Sequence, residues 1–159
     1  AFSLIRLIAE AVKIPVIAAG GIVDANGTEA ALALGAGAVQ AGTAYLLTPE
    51  AATSSLHRHA LKTARPDQTA ITNLFTGRPA RGIVNRLMRD IGPMTEDAPP
   101  FPLAGSALAP LRSWAEANDS ADFTNLWAGQ AFGLAREISS RDVTLMLVGR
   151  APSDQAARA

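Results

Sequence analysis

The stretch from Ile14 to Tyr45, IPVIAAGGIVDANGTEAALALGAGAVQAGTAY, limits the possible folds more than any other part of the chain. Within it, Val16, Ile17, Ala18 and Ala19 form an apolar run after Pro15, the pattern of a strand covered on both faces in a parallel sheet. Gly20 and Gly21 end that run. Adjacent glycines admit positive φ and remove the Cβ atoms that would hold an oxygen-rich ligand away, so consecutive N–H groups can converge on one anion. A short helix is expected next, from about Gly27 to Leu34, with Asn26 or Thr28 as its cap, Glu29 placed as in a capping box, and Gly35 and Gly37 closing it. A second strand is expected from Ala38 to Ala44, interrupted by Gly42 and Thr43, which put a bare main chain and a hydroxyl near its C-terminal end. The whole is a βαβ unit whose two strand ends can share one phosphate. A TIM-barrel phosphate site is built this way, from the loops after the last two strands. A doubly wound sheet whose glycines serve only turn geometry is the other reading of the same pattern.

Length and composition narrow the context. An eight-stranded barrel needs roughly 250 residues, and this chain has 159, so it is expected to be a piece of one. Its first residue is Ala1 rather than Met, and it opens inside an amphipathic helix, Phe2 to Val12, with no cap ahead, which fits a truncated start. Hydrophobic residues make up 48% and charged residues 18%, enough apolar surface for a packed core. The absence of cysteine excludes disulfides, thiolate metal sites and cysteine nucleophiles in these residues. Fourteen basic residues balance fourteen acidic ones, so the whole chain has no net attraction for nucleic acid or an anionic membrane. The local excess of Arg58, Lys62, Arg65, Arg78, Arg81, Arg86 and Arg89 is interleaved with only one aromatic, Phe75, which fits a solvated or partner-facing surface better than a nucleic-acid groove. With no apolar run near the roughly twenty residues of a membrane span and no signal peptide, a cytoplasmic location is expected.

Beyond the βαβ unit, Thr48 and Pro49 signal a helix running to Ala64. His57 and His59 on it would point about 200° apart, which excludes joint metal ligation and favours surface or packing roles. Thr69 to Phe75 reads as a strand, Thr76 to Pro79 as a turn, and Ala80 to Asp90 as a helix carrying Ile83, Val84, Leu87 and Met88 on one stripe. Arg78 and Arg81 are expected to hold loops together. The stretch from Gly92 to Pro102, with four prolines, reads as an extended loop. Pro110 to Asn118 reads as a helix with Pro110 in its first turn, and Phe132 to Ile138 as another. Asp142 to Val148 fits either a strand or a helix by pattern. Gln130 offers an amide that both donates and accepts, suited either to a bound ligand or to local backbone, and Trp127 suits the core. Two matches to the glycosylation sequon, at Asn26 and Asn118, are read as chance.

The segment IPVIAAGGIVDANGTEAALALGAGAVQAGTAYL closely resembles the C-terminal barrel segment of the flavin-dependent nitronate monooxygenases, and FTGRPARGIVN (Phe75 to Asn85) and LWAGQA (Leu126 to Ala131) are similar to later motifs of that family. Together they span about Ile14 to Ala135. The AAGG and GT elements are shared with other FMN barrels, notably the flavin-type enoyl-acyl-carrier-protein reductases, and FTGRPARGIVN favours the nitronate enzymes. Ala41 stands where family members often carry a larger residue such as Met. The resemblance implies an α/β fold: the last βα units of an FMN-binding TIM barrel in residues 1–47, a smaller second domain in 48–150 that closes over the flavin, and a tail in 151–159. A terminal helix near Asp142 is implied as well. So is FMN held through its phosphate and ribityl end by Gly20, Gly21, Gln40, Ala41, Gly42 and Thr43, with Gln130 in the substrate or flavin vicinity. The implied reaction is oxidation of an alkyl nitronate with O₂ to a carbonyl compound and nitrite. The family's catalytic histidine lies upstream of the AAGG strand, where this chain has no histidine, so no catalytic residue is expected within it and, alone, it is expected to be inactive and poorly stable. The expected partners are a nitronate or nitroalkane and O₂, with no metal, and a homodimer is the assembly considered. An enoyl-acyl-carrier-protein reductase and a non-catalytic fragment are the alternatives.

Overall fold

The structure, a computed structural model, describes residues 2–151, so all but the first residue of the expected tail lies outside the described residues. In chain order its elements are α1 (Phe2–Ala11), β1 (Ile17–Ala19), α2 (Ala25–Ala33), β2 (Ala38–Gln40), a 3₁₀ turn (Thr43–Tyr45), α3 (Ser55–Thr63), β3 (Thr69–Thr72), β4 (Ala80–Ile83), α4 (Arg86–Ile91), α5 (Leu103–Ala117), a second 3₁₀ turn (Phe132–Leu134) and α6 (Ser140–Leu147). The chain is a mixed α/β protein of two compact units, Ala1–Ala52 with Leu134–Ala159, and Thr53–Gly133. The expected second domain, 48–150, is therefore bounded differently, because the segment carrying α6 belongs to the first unit.

In the first unit β1 and β2 pair in parallel, with Ile17 opposite Ala38, Ala18 opposite Val39 and Ala19 opposite Gln40. The crossover through α2 has the length such a pairing requires. Asp24, rather than Asn26 or Thr28, caps α2, its carboxylate accepting from the Gly27 N–H at 2.9 Å. The helix starts two residues earlier than expected because Asp24 has the extended backbone of a cap while Asn26 is already helical. Gly35, at φ 98°, closes the helix, and Ala9 of α1 packs against it so closely that an added Cβ would sit 3.0 Å from the Ala9 methyl. Only Ala18 of β1 is buried. Ile17 is 62% exposed, so the double coverage expected of this strand is not met within the unit. Strand β2 ends at Gln40, short of the expected Ala44, because Thr43 to Tyr45 turn into 3₁₀ geometry.

Helix α6 settles the strand-or-helix ambiguity at Asp142 in favour of a helix. Ser139 caps it by accepting from the Asp142 N–H at 3.1 Å, and Val143 and Leu147 are buried on the face turned to α2 and the first 3₁₀ turn. Two ties fix its start and flank. Glu50 accepts from the Ser140 N–H (3.1 Å) and hydroxyl (3.1 Å), and the Tyr45 and Thr144 hydroxyls lie 2.9 Å apart. The Glu50 carboxyl is held below its usual range, first by its own backbone N–H and then by that of Ser140.

In the second unit β3 and β4 form an antiparallel pair with Thr69 opposite Ile83 and Thr72 opposite Ala80. The expected helix from Ala80 to Asp90 is thus a strand followed by a shorter helix. Main-chain pairing captures 80–83 on both edges: Ile83 N–H also donates to Leu126 O (2.8 Å) and Ala128 N–H to Arg81 O (3.2 Å). Gly82 permits that approach, since a Cβ there would lie 2.9 Å from Leu126 O. Asn85 then caps α4 through Met88 N–H, while its amide donates to Thr124 O at 2.8 Å. Leu74, Phe75, Leu87 and Met88 form the core, with Trp127 edge-on to Phe75 at 5.6 Å between centroids.

Three other expected helices differ. The one from Thr48 is a turn, and α3 begins after Ser54, which caps it; the Thr48 hydroxyl instead donates to Tyr45 O. Helix α5 begins seven residues before Pro110, which sits in its middle, where the missing N–H removes one rung of the ladder. Only Phe132–Leu134 of the expected helix to Ile138 winds, and as 3₁₀. Among the described residues no helix is long and apolar enough to cross a membrane.

Candidate functional site: two glycine corners on adjacent parallel strands

The register that sets Ala19 against Gln40 brings the C-terminal ends of β1 and β2 level, in strands that run about 4.8 Å apart. Each chain turns off at once. Gly20 and Gly21 take φ of 101° and 77°, a conformation open to glycine at little steric cost. On β2, Ala41 and Gly42 lead into the 3₁₀ turn, with Gly42 at φ −110°. A Cβ built on Gly20, Gly21 or Gly42 meets no heavy atom within 4 Å, so both corners face open space rather than packed side chains. Beneath them the structure is firm: Ile22, Val23 and Ala44 are buried, and the Asp24 cap fixes the start of α2. The sequence pattern therefore places Gly20, Gly21, Gln40, Ala41, Gly42 and Thr43 together. Two glycine corners with exposed main chain, side by side, can offer N–H groups to one anion without a metal. Asp24, whose carboxylate holds the first of these turns to its helix, was missed in the sequence; the spacing D-x-x-G before the helix is the signal that marks it.

Gln130 lies in the second unit, exposed, just after the segment 126–128 that pairs with β4. Arg81 braces the β3–β4 strand pair rather than a loop, donating to Thr69 O and Oγ1 at 3.3 and 3.0 Å, and Arg78 stacks over the Phe101 ring at 4.2 Å. His57 is half-buried, with Nε2 3.0 Å from Trp127 O, and burial pushes its pKa below the ordinary value although the carbonyl partly offsets the shift. His59 is exposed. The two histidines thus take packing and surface positions.

The first unit is thus an α/β unit whose two parallel strands end in open glycine corners. The sequence pattern that defines nitronate monooxygenase matches residues 1–149, and the chain belongs to that family. It is 43% identical over 147 residues to the nitronate monooxygenase of Pseudomonas aeruginosa, covering 92% of this chain and 42% of that protein. Its structure is similar to that of nitroalkane oxidase from Streptomyces ansochromogenes, with a TM-score of 0.85 and 38% identity over 99% of this chain and 45% of the other. It is also similar to FabK from Thermotoga maritima, with a TM-score of 0.74 and 28% identity over 99% of this chain and 50% of the other. The chain thus spans about half the length of these relatives or less.

Proposed function

We propose that this chain is the C-terminal part of an FMN-dependent nitronate monooxygenase that oxidises alkyl nitronates with O₂ to a carbonyl compound and nitrite. The observation that carries this reading is the level, open pair of corners at Gly20-Gly21 and Gly42-Thr43, together with family membership over residues 1–149. The residues fit a terminal phosphate. Main-chain N–H groups at Gly21, Gly42 and Thr43, joined by the Thr43 hydroxyl, match its oxygens, Gly20 supplies the turn, and Gln40 and Ala41 line the approach. FMN, when bound, supplies the electron chemistry.

The chain's own contribution is to anchor and orient. Gln130 provides an amide suited to a flavin edge or a nitro group. The general base is assigned to a part of the protein outside these residues: no histidine precedes Gly20, and His57 is engaged with Trp127 O. The reading also places the corners at the last two strands of a TIM barrel, whose remaining strands would cover Ile17. A cytoplasmic location is part of the same reading.

The test is made on the full-length protein containing these residues. Yellow flavin absorbance and nitrite release in air from propionate 3-nitronate or the 2-nitropropane anion are expected. A colourless protein releasing no nitrite overturns the proposal, and NAD(P)H oxidation that depends on an enoyl thioester replaces it with the enoyl-acyl-carrier-protein reductase reading.

A further inference from the structure

The second unit contains a cleft of about 230 Å³ that none of the roles above uses. Leu87 and Ile91 of α4 form one wall and Ala104, Ala107 and Leu108 of α5 the other, with the loop 92–102 across the top. The lining is almost wholly hydrocarbon. Its polar members, Thr95 and Asp97, are tied to each other, since the Asp97 N–H donates to the Thr95 hydroxyl at 3.2 Å.

The roof is fixed in place. The Asn73 amide donates to Thr95 O at 2.7 Å while its carbonyl accepts from the Thr95 N–H at 3.2 Å, and the Asn73 N–H reaches Pro93 O at 3.3 Å. At the far end Gly77 lies so close to the loop that a Cβ on it would overlap Phe101 N. A loop held at both ends keeps its cleft open without a ligand, so little ordering opposes binding.

We propose that this cleft binds a small uncharged apolar molecule, an alkyl or aromatic group of about eight heavy atoms. An enclosed apolar cavity of roughly 150 Å³ takes up benzene; this cleft offers about 230 Å³ but is open to solvent on one side, where Ile91 and Ala107 are exposed. Charge narrows the class further. The Asp97 carboxylate is exposed at the rim, where it disfavours an anion, so a fatty acid or a nitronate fits less well than a neutral alcohol of the same length.

The test titrates the full-length protein with 1-hexanol and with hexanoate, read by ligand-observed NMR, in the wild type and in Ala107→Phe and Asp97→Lys variants. Saturable hexanol binding is expected, at least tenfold tighter than hexanoate. Ala107→Phe fills the cleft and should weaken hexanol at least tenfold with the circular dichroism spectrum unchanged. Asp97→Lys, at an exposed position that does not threaten folding, should bring hexanoate level with hexanol. No saturable hexanol binding overturns the proposal, as does a Kd unaltered in folded Ala107→Phe or a hexanol preference unmoved by Asp97→Lys.

Discussion

Ala19 stands opposite Gln40 in the parallel pair, so the residue after each begins a corner and the two corners leave the sheet side by side. Gly42 permits a clean test of what they hold, because its φ of −110° suits any residue and a Cβ there meets open space. Gly42→Asp should leave the denaturant midpoint almost unchanged, as surface substitutions usually shift stability by about 0.5 kcal/mol or less. It should weaken FMN at least tenfold, because the added carboxylate faces the phosphate. Fluorescence titration and urea unfolding of the same samples separate the two effects.

Asp24 supports the first corner from the helix side. Asp24→Ala removes the acceptor of the Gly27 N–H and should destabilise the protein by about 1 kcal/mol, whereas Asp24→Asn, an equally good cap, should lose little. Urea midpoints of the two variants measure the difference.

Gly77 is constrained twice, by φ of 84° and by the nearness of Phe101 N, Pro99 O and Pro100 C to any Cβ. Backbone strain of about 1–3 kcal/mol adds to overpacking of about 1–3 kcal/mol, so Gly77→Ala should destabilise by roughly 2–6 kcal/mol. The loss is expected in thermal or denaturant unfolding. Arg78→Ala, which removes only the stacking on Phe101, should cost about 0.5–1 kcal/mol by the same measurement.

The βαβ unit was legible because its apolar run, glycine pair and short helix are local signals, and the structure pairs its two strands in parallel with Gly20 and Gly21 at positive φ, although Ile17 is exposed and β2 stops at Gln40. Capping was less legible. Asp24 and Asn26 are both good cap residues two positions apart, and only the backbone conformation separates them. The strand at Ala80–Ile83 was hidden for another reason: its apolar residues suit a helix stripe continuing into α4, and the pairing with β3 and with Leu126 and Ala128 that makes it a strand is long-range. Pro110 misled by its usual place in a first turn. The cleft under the loop 92–102 depends on Asn73 and Thr95, 22 residues apart, and no local pattern announces it.

His57 gives the fold a sensitivity to acid. Burial lowers its pKa in the folded state below the ordinary 6.5, so above that value both states carry a neutral ring and the fold loses nothing. As pH falls below 6.5 the unfolded chain takes up the proton first, and stability declines until the folded pKa is passed. His57→Gln, which can still donate to Trp127 O without titrating, should flatten the fall in melting temperature between about pH 7.5 and 5.5. An unchanged slope would remove His57 as its source.

The most direct test of the two-corner site compares FMN with riboflavin, which lacks the phosphate, on the full-length apoprotein. Hydrogen bonds to a charged group contribute about 1.5–3 kcal/mol each, and 1.4 kcal/mol is a factor of ten. Two or more main-chain donors at Gly21, Gly42 and Thr43 should therefore make FMN about a hundredfold tighter or better, a margin that Gly42→Asp reduces. Equal affinity for the two flavins, or a margin that Gly42→Asp leaves intact, would contradict the account.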